Sequence, residues 1–164
     1  MPGEPELAGG VKGARIGAAS MTDEQRKALA VDYLKRMDRG ESLLELFDEH
    51  ALVYFPKWGL ARGRAEIERL FSDLGGLFEE LHHESEYYNY IVSGDTVVLE
   101  GTTSGVVRGG ARWSHGLGYG GRGCAVMEIR DCKVQRLFIY VDPDYAGADI
   151  ARYPWLSADG TRKR

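Results

Sequence analysis

Four histidines, His50, His82, His83 and His115, make proton transfer the first chemistry to consider, because imidazole is the one side chain that titrates unaided near neutral pH. His50 reads as a solvated residue at a helix end. His82 and His83 are neighbours in a strand-like run, so their side chains face opposite ways, one inward and one outward. Neighbours in a strand cannot jointly grip one metal ion, and no cysteine or further histidine stands at ligand spacing. His115 lies in the glycine-rich stretch "WSHGLGYGGRGC", flanked by Trp113 and by glycines that let a ligand approach the backbone closely. Two acids compete with these bases. Glu100, between Leu99 and Gly101, alternates outward unless a bulge turns it into the interior, and Asp142 sits before Pro143 as either a turn former or a rim carboxylate.

The same stretch carries Gly116, Gly118 and Gly121 in the order Gly-x-Gly-x-x-Gly, the pattern of a dinucleotide-binding turn. That turn needs a strand before it and a helix after it, so that the helix N-terminus meets the pyrophosphate. Here the following segment, "CAVMEI", reads as a strand. The glycines therefore read as a connection between strands, and no cofactor motif remains.

The elements that must position these groups follow from periodicity. Thr22 and Gln25 form a capping box, with Asp23 and Glu24 in the first helical turn. Ala30, Tyr33, Leu34 and Met37 then recur at helical spacing, and Gly40 is the stop. A second short helix is expected over "ESLLELF", a brief strand over "ALVYFP" ending at Pro56, and a loop over "KWGLARG". Ile67, Leu70, Phe71 and Leu74 give a third helix closed at Gly75–Gly76. Four strands follow, "LHHESEYYNYIVS", "TVVLEGTTSGVV", "CAVMEI" and "VQRLFIYV", running antiparallel. Three helices with one small strand, then a run of strands, is α+β.

Composition bounds the partners. The 164 residues are enough for one domain with a core, and 43% hydrophobic with 28% charged residues is ordinary for a globular protein. We expect residues 1–20 to form a mobile tail, residues 21–150 the domain and residues 151–164 an extension. A net charge of −4 argues against nucleic acid, and no apolar run approaches membrane-spanning length. Cys124 and Cys132 form no disulfide framework, in keeping with a cytoplasmic location.

The order of elements, with "VDYLKRMDRGESLLELFDEHALVYFPKWGLARGRAEIERLF" and "RGCAVMEIRDCKVQRLFIYVDPDY", resembles the nuclear transport factor 2-like superfamily over about residues 22–146, and within it the SnoaL-like polyketide cyclases and ketosteroid isomerases. The resemblance implies a cone, a curved antiparallel sheet wrapped around three N-terminal helices. It also implies an apolar pocket at one end and a homodimer built on the outer sheet face. It places Tyr33 where the isomerases hold an oxyanion-donating tyrosine. At the two isomerase carboxylate positions it finds Phe55 and Ala125, and at the aspartate of the cyclases it finds Ile139. A standard ketosteroid isomerase is thereby excluded.

On this resemblance the pocket wall comprises Phe55, Trp58, Ala125, Met127, Leu137, Ile139 and Val141. The catalytic candidates are Tyr33, His83 and His115, the last in a connection that can fold over the pocket mouth. Two functions follow. One is a cofactor-free cyclase, isomerase or dehydratase acting on a polyketide-like or similar oxygenated substrate; the other is a non-catalytic protein holding a small apolar organic ligand.

Overall fold

Helix α1, Asp23–Arg39, begins at a reciprocal cap: the Thr22 hydroxyl accepts from the Gln25 amide at 3.2 Å, and the Gln25 side chain accepts from the Thr22 amide at 2.8 Å. It ends at Gly40, whose φ of 64° lets the chain turn while its N–H reaches the last carbonyls. One stripe of the helix, Ala30, Tyr33 and Leu34, is buried. The computed structural model describes residues 21–114, 121–159 and 161–163.

The second expected helix is a single 3₁₀ turn at Leu44–Leu46, and strand β1 starts immediately after it, covering Phe47–Phe55. The turn and its flank bury Leu43 and Leu46 in the core. As a strand, the chain then buries Phe47, Ala51, Val53 and Phe55. The two α-helices are therefore α1 and α2, the latter Gly63–Gly75 with Ile67, Leu70 and Leu74 buried. Part of the "KWGLARG" segment is strand β2, Gly59–Arg62, which folds back on β1. The aromatic-rich run expected as one strand is divided: β3 is Phe78–His83, a 3₁₀ turn occupies Ser85–Tyr87, and β4 is Asn89–Ser93.

The remaining strands are β5, Thr96–Val107; β6, Arg112–Trp113; β7, Arg122–Arg130; and β8, Lys133–Val141. They form one sheet in the order β2-β1-β8-β7-β5-β3, with β4 and β6 also on β5. The sheet is mixed rather than wholly antiparallel, because β1 runs parallel to β8. A parallel neighbour requires a long connection, and here the chain from 56 to 132, including α2, supplies it.

Strand β5 has two sets of partners. Its first half pairs with β4, and its second half with β3 along the same edge. Glycines mark the change. A Cβ at Gly101 would fall 2.2 Å from the Tyr88 ring, and one at Gly105 would fall 2.2 Å from the Glu80 carbonyl oxygen and 2.4 Å from the Trp113 indole. The sheet curls there over α1 and α2, and the core of Leu34, Val53, Leu70, Leu99, Met127 and Leu137 fills the concavity. Between β6 and β7 stand Gly116, Gly118 and Gly121. The first two lie outside the described residues, and Gly121 adopts a φ of 89°. A strand stands on each side of this segment, so the helix that a phosphate turn requires is missing.

Gly105→Ala is expected to cost about 1–3 kcal/mol, the usual range for overpacking. Gly123→Ala, where the nearest atom is at 3.5 Å, should stay within about 0.5 kcal/mol, as an unstrained substitution does. Urea unfolding midpoints of the two variants test the contrast.

Candidate active site

A cavity of about 440 Å³ opens between α1, α2 and the concave face of the sheet, within the range of pockets that take one small organic ligand. Phe55, Phe71 and Phe78 form much of its wall, with Ala125, Ile139 and Val141 from β7 and β8. Met127 and Leu137 are fully buried in the core and do not line it. Alternation alone put all of these on one sheet face; the depth of each along its strand separates wall from core. Trp58 also lies outside the lining. Its indole Nε1 donates to Asp73 Oδ2 at 2.9 Å, so it ties the β1–β2 turn to α2.

The polar groups of the cavity are few. Tyr33 enters from α1, His83 from the end of β3, Tyr88 from the turn before β4, and Tyr145 from the segment after β8. His82, the neighbour of His83, is exposed. His50 is exposed on β1 beside Glu49. Glu100 faces outward, accepting from Asn89 Nδ2 at 3.3 Å. Asp142 is exposed and accepts the Asp144 amide, which makes it a turn residue. His115 lies outside the described residues.

His83 is held by a residue that the sequence does not single out. Its Nδ1 lies 2.5 Å from Asp38 Oδ1, and its backbone N–H donates to both Asp38 oxygens at 3.0 Å. Contact with a carboxylate oxygen places the imidazole proton on Nδ1 and leaves Nε2 as the acceptor, the orientation a general base needs. The side chains are 10% and 21% exposed, so the pair is largely shielded from water. One signal does precede the structure. Asp38 occupies the last turn of α1, where the helix dipole disfavours an anion, so a specific partner is required to hold it there.

The three phenols share a second property. Burial raises the Tyr33 pKa far above its ordinary value, with Tyr88 and Tyr145 adding to the effect. Burial also raises that of Tyr88, with the Asp38 charge next in importance. Tyr145 is pushed up to about 12, by burial first and Asp142 second. None of the three hydroxyls hydrogen-bonds to another described residue, so each remains a protonated donor for whatever occupies the cavity. Tyr145 is placed by stacking, 4.7 Å from Trp113 and 5.1 Å from Phe78 between ring centres. Tyr88 packs its ring edge-on to His83, at 6.3 Å. Neither tyrosine has a periodic signature, since both sit in irregular segments.

The chain matches the SnoaL-like domain family over residues 30–137. It belongs to that family. Solved structures agree on the fold. A polyketide cyclase candidate from Xanthomonas campestris pv. campestris is similar at 18% identity and a TM-score of 0.61, covering 71% of this chain and 90% of its own. A nuclear transport factor 2-like protein from Burkholderia xenovorans is similar at 20% identity and a TM-score of 0.60, covering 74% and 92%. Another, from Anabaena variabilis, is similar at 20% identity and a TM-score of 0.61, covering 77% and 97%. No curated protein matches the chain in sequence. In this SnoaL-like chain, the cone is the curled mixed sheet closed over two α-helices and a 3₁₀ turn.

The phenols link stability to pH. Unfolded tyrosines ionise near pH 10, whereas these three hold their protons to higher pH, so the folded state binds more protons above pH 10. Their contribution is complete below pH 10 and is lost as pH rises through the folded values. The unfolding midpoint in urea should therefore hold steady between pH 7 and 9 and fall beyond pH 10. The fall should be shallower in Tyr33→Phe.

Proposed function

We propose that this SnoaL-like protein is a cofactor-independent enzyme of the cyclase, isomerase or dehydratase type, acting on a polyketide-like or similarly oxygenated, mostly apolar small molecule. The observation that carries this reading is the 2.5 Å contact between His83 Nδ1 and Asp38 in the wall of a cavity furnished with protonated phenols. Reactions of all three types begin by removing a proton from carbon beside a carbonyl. That step needs a base, a hydrogen-bond donor at the carbonyl oxygen and exclusion of water.

In the proposed step, His83 Nε2 takes the proton, and the C–H electron pair moves through the new C=C bond onto the carbonyl oxygen. The imidazolium is stabilised by Asp38. The enolate oxygen accepts a hydrogen bond from Tyr33, which stays protonated because its pKa is raised. The enolate then reacts in one of three ways, each returning the proton from His83: to another carbon of the conjugated enolate, to the alkoxide formed when the enolate carbon attacks a second carbonyl, or to a β-hydroxyl group as it is expelled as water. Asp38 acts as a positioning residue, orienting the base and offsetting its charge. Phe55 and Ala125 stand at the isomerase carboxylate positions, and the lining carboxylates Glu41 and Glu68 are exposed, so His83 is the shielded basic group of the described lining. His115 remains in the proposal as a substrate-contacting residue of the β6–β7 connection.

Hydrogen–deuterium exchange at the α-carbon of 2-tetralone, followed by proton NMR in D₂O, isolates the first step from the unknown later ones. The protein should accelerate exchange over buffer. His83→Gln should remove about 10²-fold or more of that acceleration, as loss of a general base does, and Tyr33→Phe should lower it at least about tenfold. Binding of the ketone without acceleration would instead support the non-catalytic reading, which the apolar residues at Phe55, Ala125 and Ile139 favour.

The same reading includes a homodimer on the outer sheet face. Tyr54, Phe138 and Tyr140 stack there across β1 and β8, with ring centres 5.8 and 6.4 Å apart, and Tyr140 is 52% exposed. Sedimentation should give a dimer for the native chain and a monomer for Tyr140→Glu.

A further inference from the structure

We propose that the cavity discriminates by charge sign, admitting uncharged or cationic ligands and rejecting carboxylates and phosphates. The inference rests on reading the cavity as the ligand site and concerns what that site takes. No lysine or arginine is among its described lining residues. The ionisable groups of the described lining are instead His83, backed by the Asp38 carboxylate, the exposed Glu41 and Glu68, the Cys124 thiol and the protonated tyrosines.

The two arginines nearest in sequence to Glu41, Arg39 and Arg36, are both committed. Arg39 reaches the two oxygens of Glu41 at 2.7 and 3.0 Å. Arg36 binds Asp32 at 2.9 Å, the Ser42 carbonyl at 3.2 Å and Glu45 at 3.5 Å. Glu68 makes no ion pair with a described residue. An anion entering the cavity sheds its water against apolar walls, meets no lysine or arginine among the described lining residues and lies near the Asp38 charge. Phenol donors soften this cost for a transient enolate, because the proton lost by the ligand stays on His83 and the net charge of the site is unchanged. A permanent anion brings no such proton. A ligand ammonium meets the opposite field. The substrate class is therefore a neutral ketone, ester, lactone or phenol, or an amine, but not a free acid or a phosphorylated intermediate.

Three probes sharing one ring system test this: 2-acetylnaphthalene, 2-naphthylmethylammonium and 2-naphthoate, titrated into the full chain by calorimetry at pH 7.5. The two ions have nearly equal apolar area and opposite charge, so hydrophobicity alone predicts similar affinity. We expect the ketone to bind and the ammonium to bind at least tenfold more tightly than the carboxylate. Glu68→Lys, at an exposed helix position, should narrow that gap. A carboxylate that binds as well as the ammonium, or a gap unmoved by Glu68→Lys, overturns the charge rule and leaves the pocket reading intact. Failure of the ketone to bind at millimolar concentration, with both ions equally silent, overturns the pocket reading and this inference together.

Discussion

Strand β5 imposes the constraint on which the rest of the structure depends. It is twelve residues long, and its two halves meet different partners along one edge. A strand of that length cannot stay straight in a sheet that must close over two helices. Its glycines mark the places where side chains of its own would obstruct the curl. The space at Gly101 belongs to the Tyr88 ring, and the space at Gly105 to Trp113. Aromatic rings from elsewhere in the chain thus occupy the space at the two glycines.

The curl also assembles the candidate site. It brings the end of β3 against the end of α1, so that Asp38 and His83, 45 residues apart, share a short hydrogen bond. Each partner answers a difficulty in the other. The carboxylate sits at the unfavourable end of a helix dipole, and the backbone N–H of His83, at the end of its strand, needs an acceptor. The result is a fixed imidazole orientation obtained without a rigid loop. The tyrosine hydroxyls around it are a different matter. They make no hydrogen bond to another described residue, so as donors they are free for an occupant of the cavity.

Periodic segments were readable and irregular ones were not. Thr22, Gln25 and Gly40 marked the limits of α1, because caps are local chemistry and depend on residues three or four apart. Tyr33 and His83 were reached by pattern, resemblance and alternation, and both stand in the cavity. "ESLLELF" misled because a short apolar run satisfies helical spacing and strand alternation equally, and only burial against β8 decides between them. The parallel pairing of β1 with β8 left no trace in either strand, since pairing direction depends on the path of the intervening chain.

The sequence by itself determined the α+β class, the capped first helix and the strand that follows the glycine-rich stretch. These rest on neighbours within a few positions, where backbone geometry limits the options. Tertiary structure alone decided that Asp38 stands behind His83, that Tyr88 and Tyr145 join Tyr33, and that Met127, Leu137 and Trp58 stay out of the cavity. Those outcomes depend on how far the sheet curls and how deep each side chain sits along it. Curvature is a sum over many strand pairs, so no local stretch of the chain encodes it.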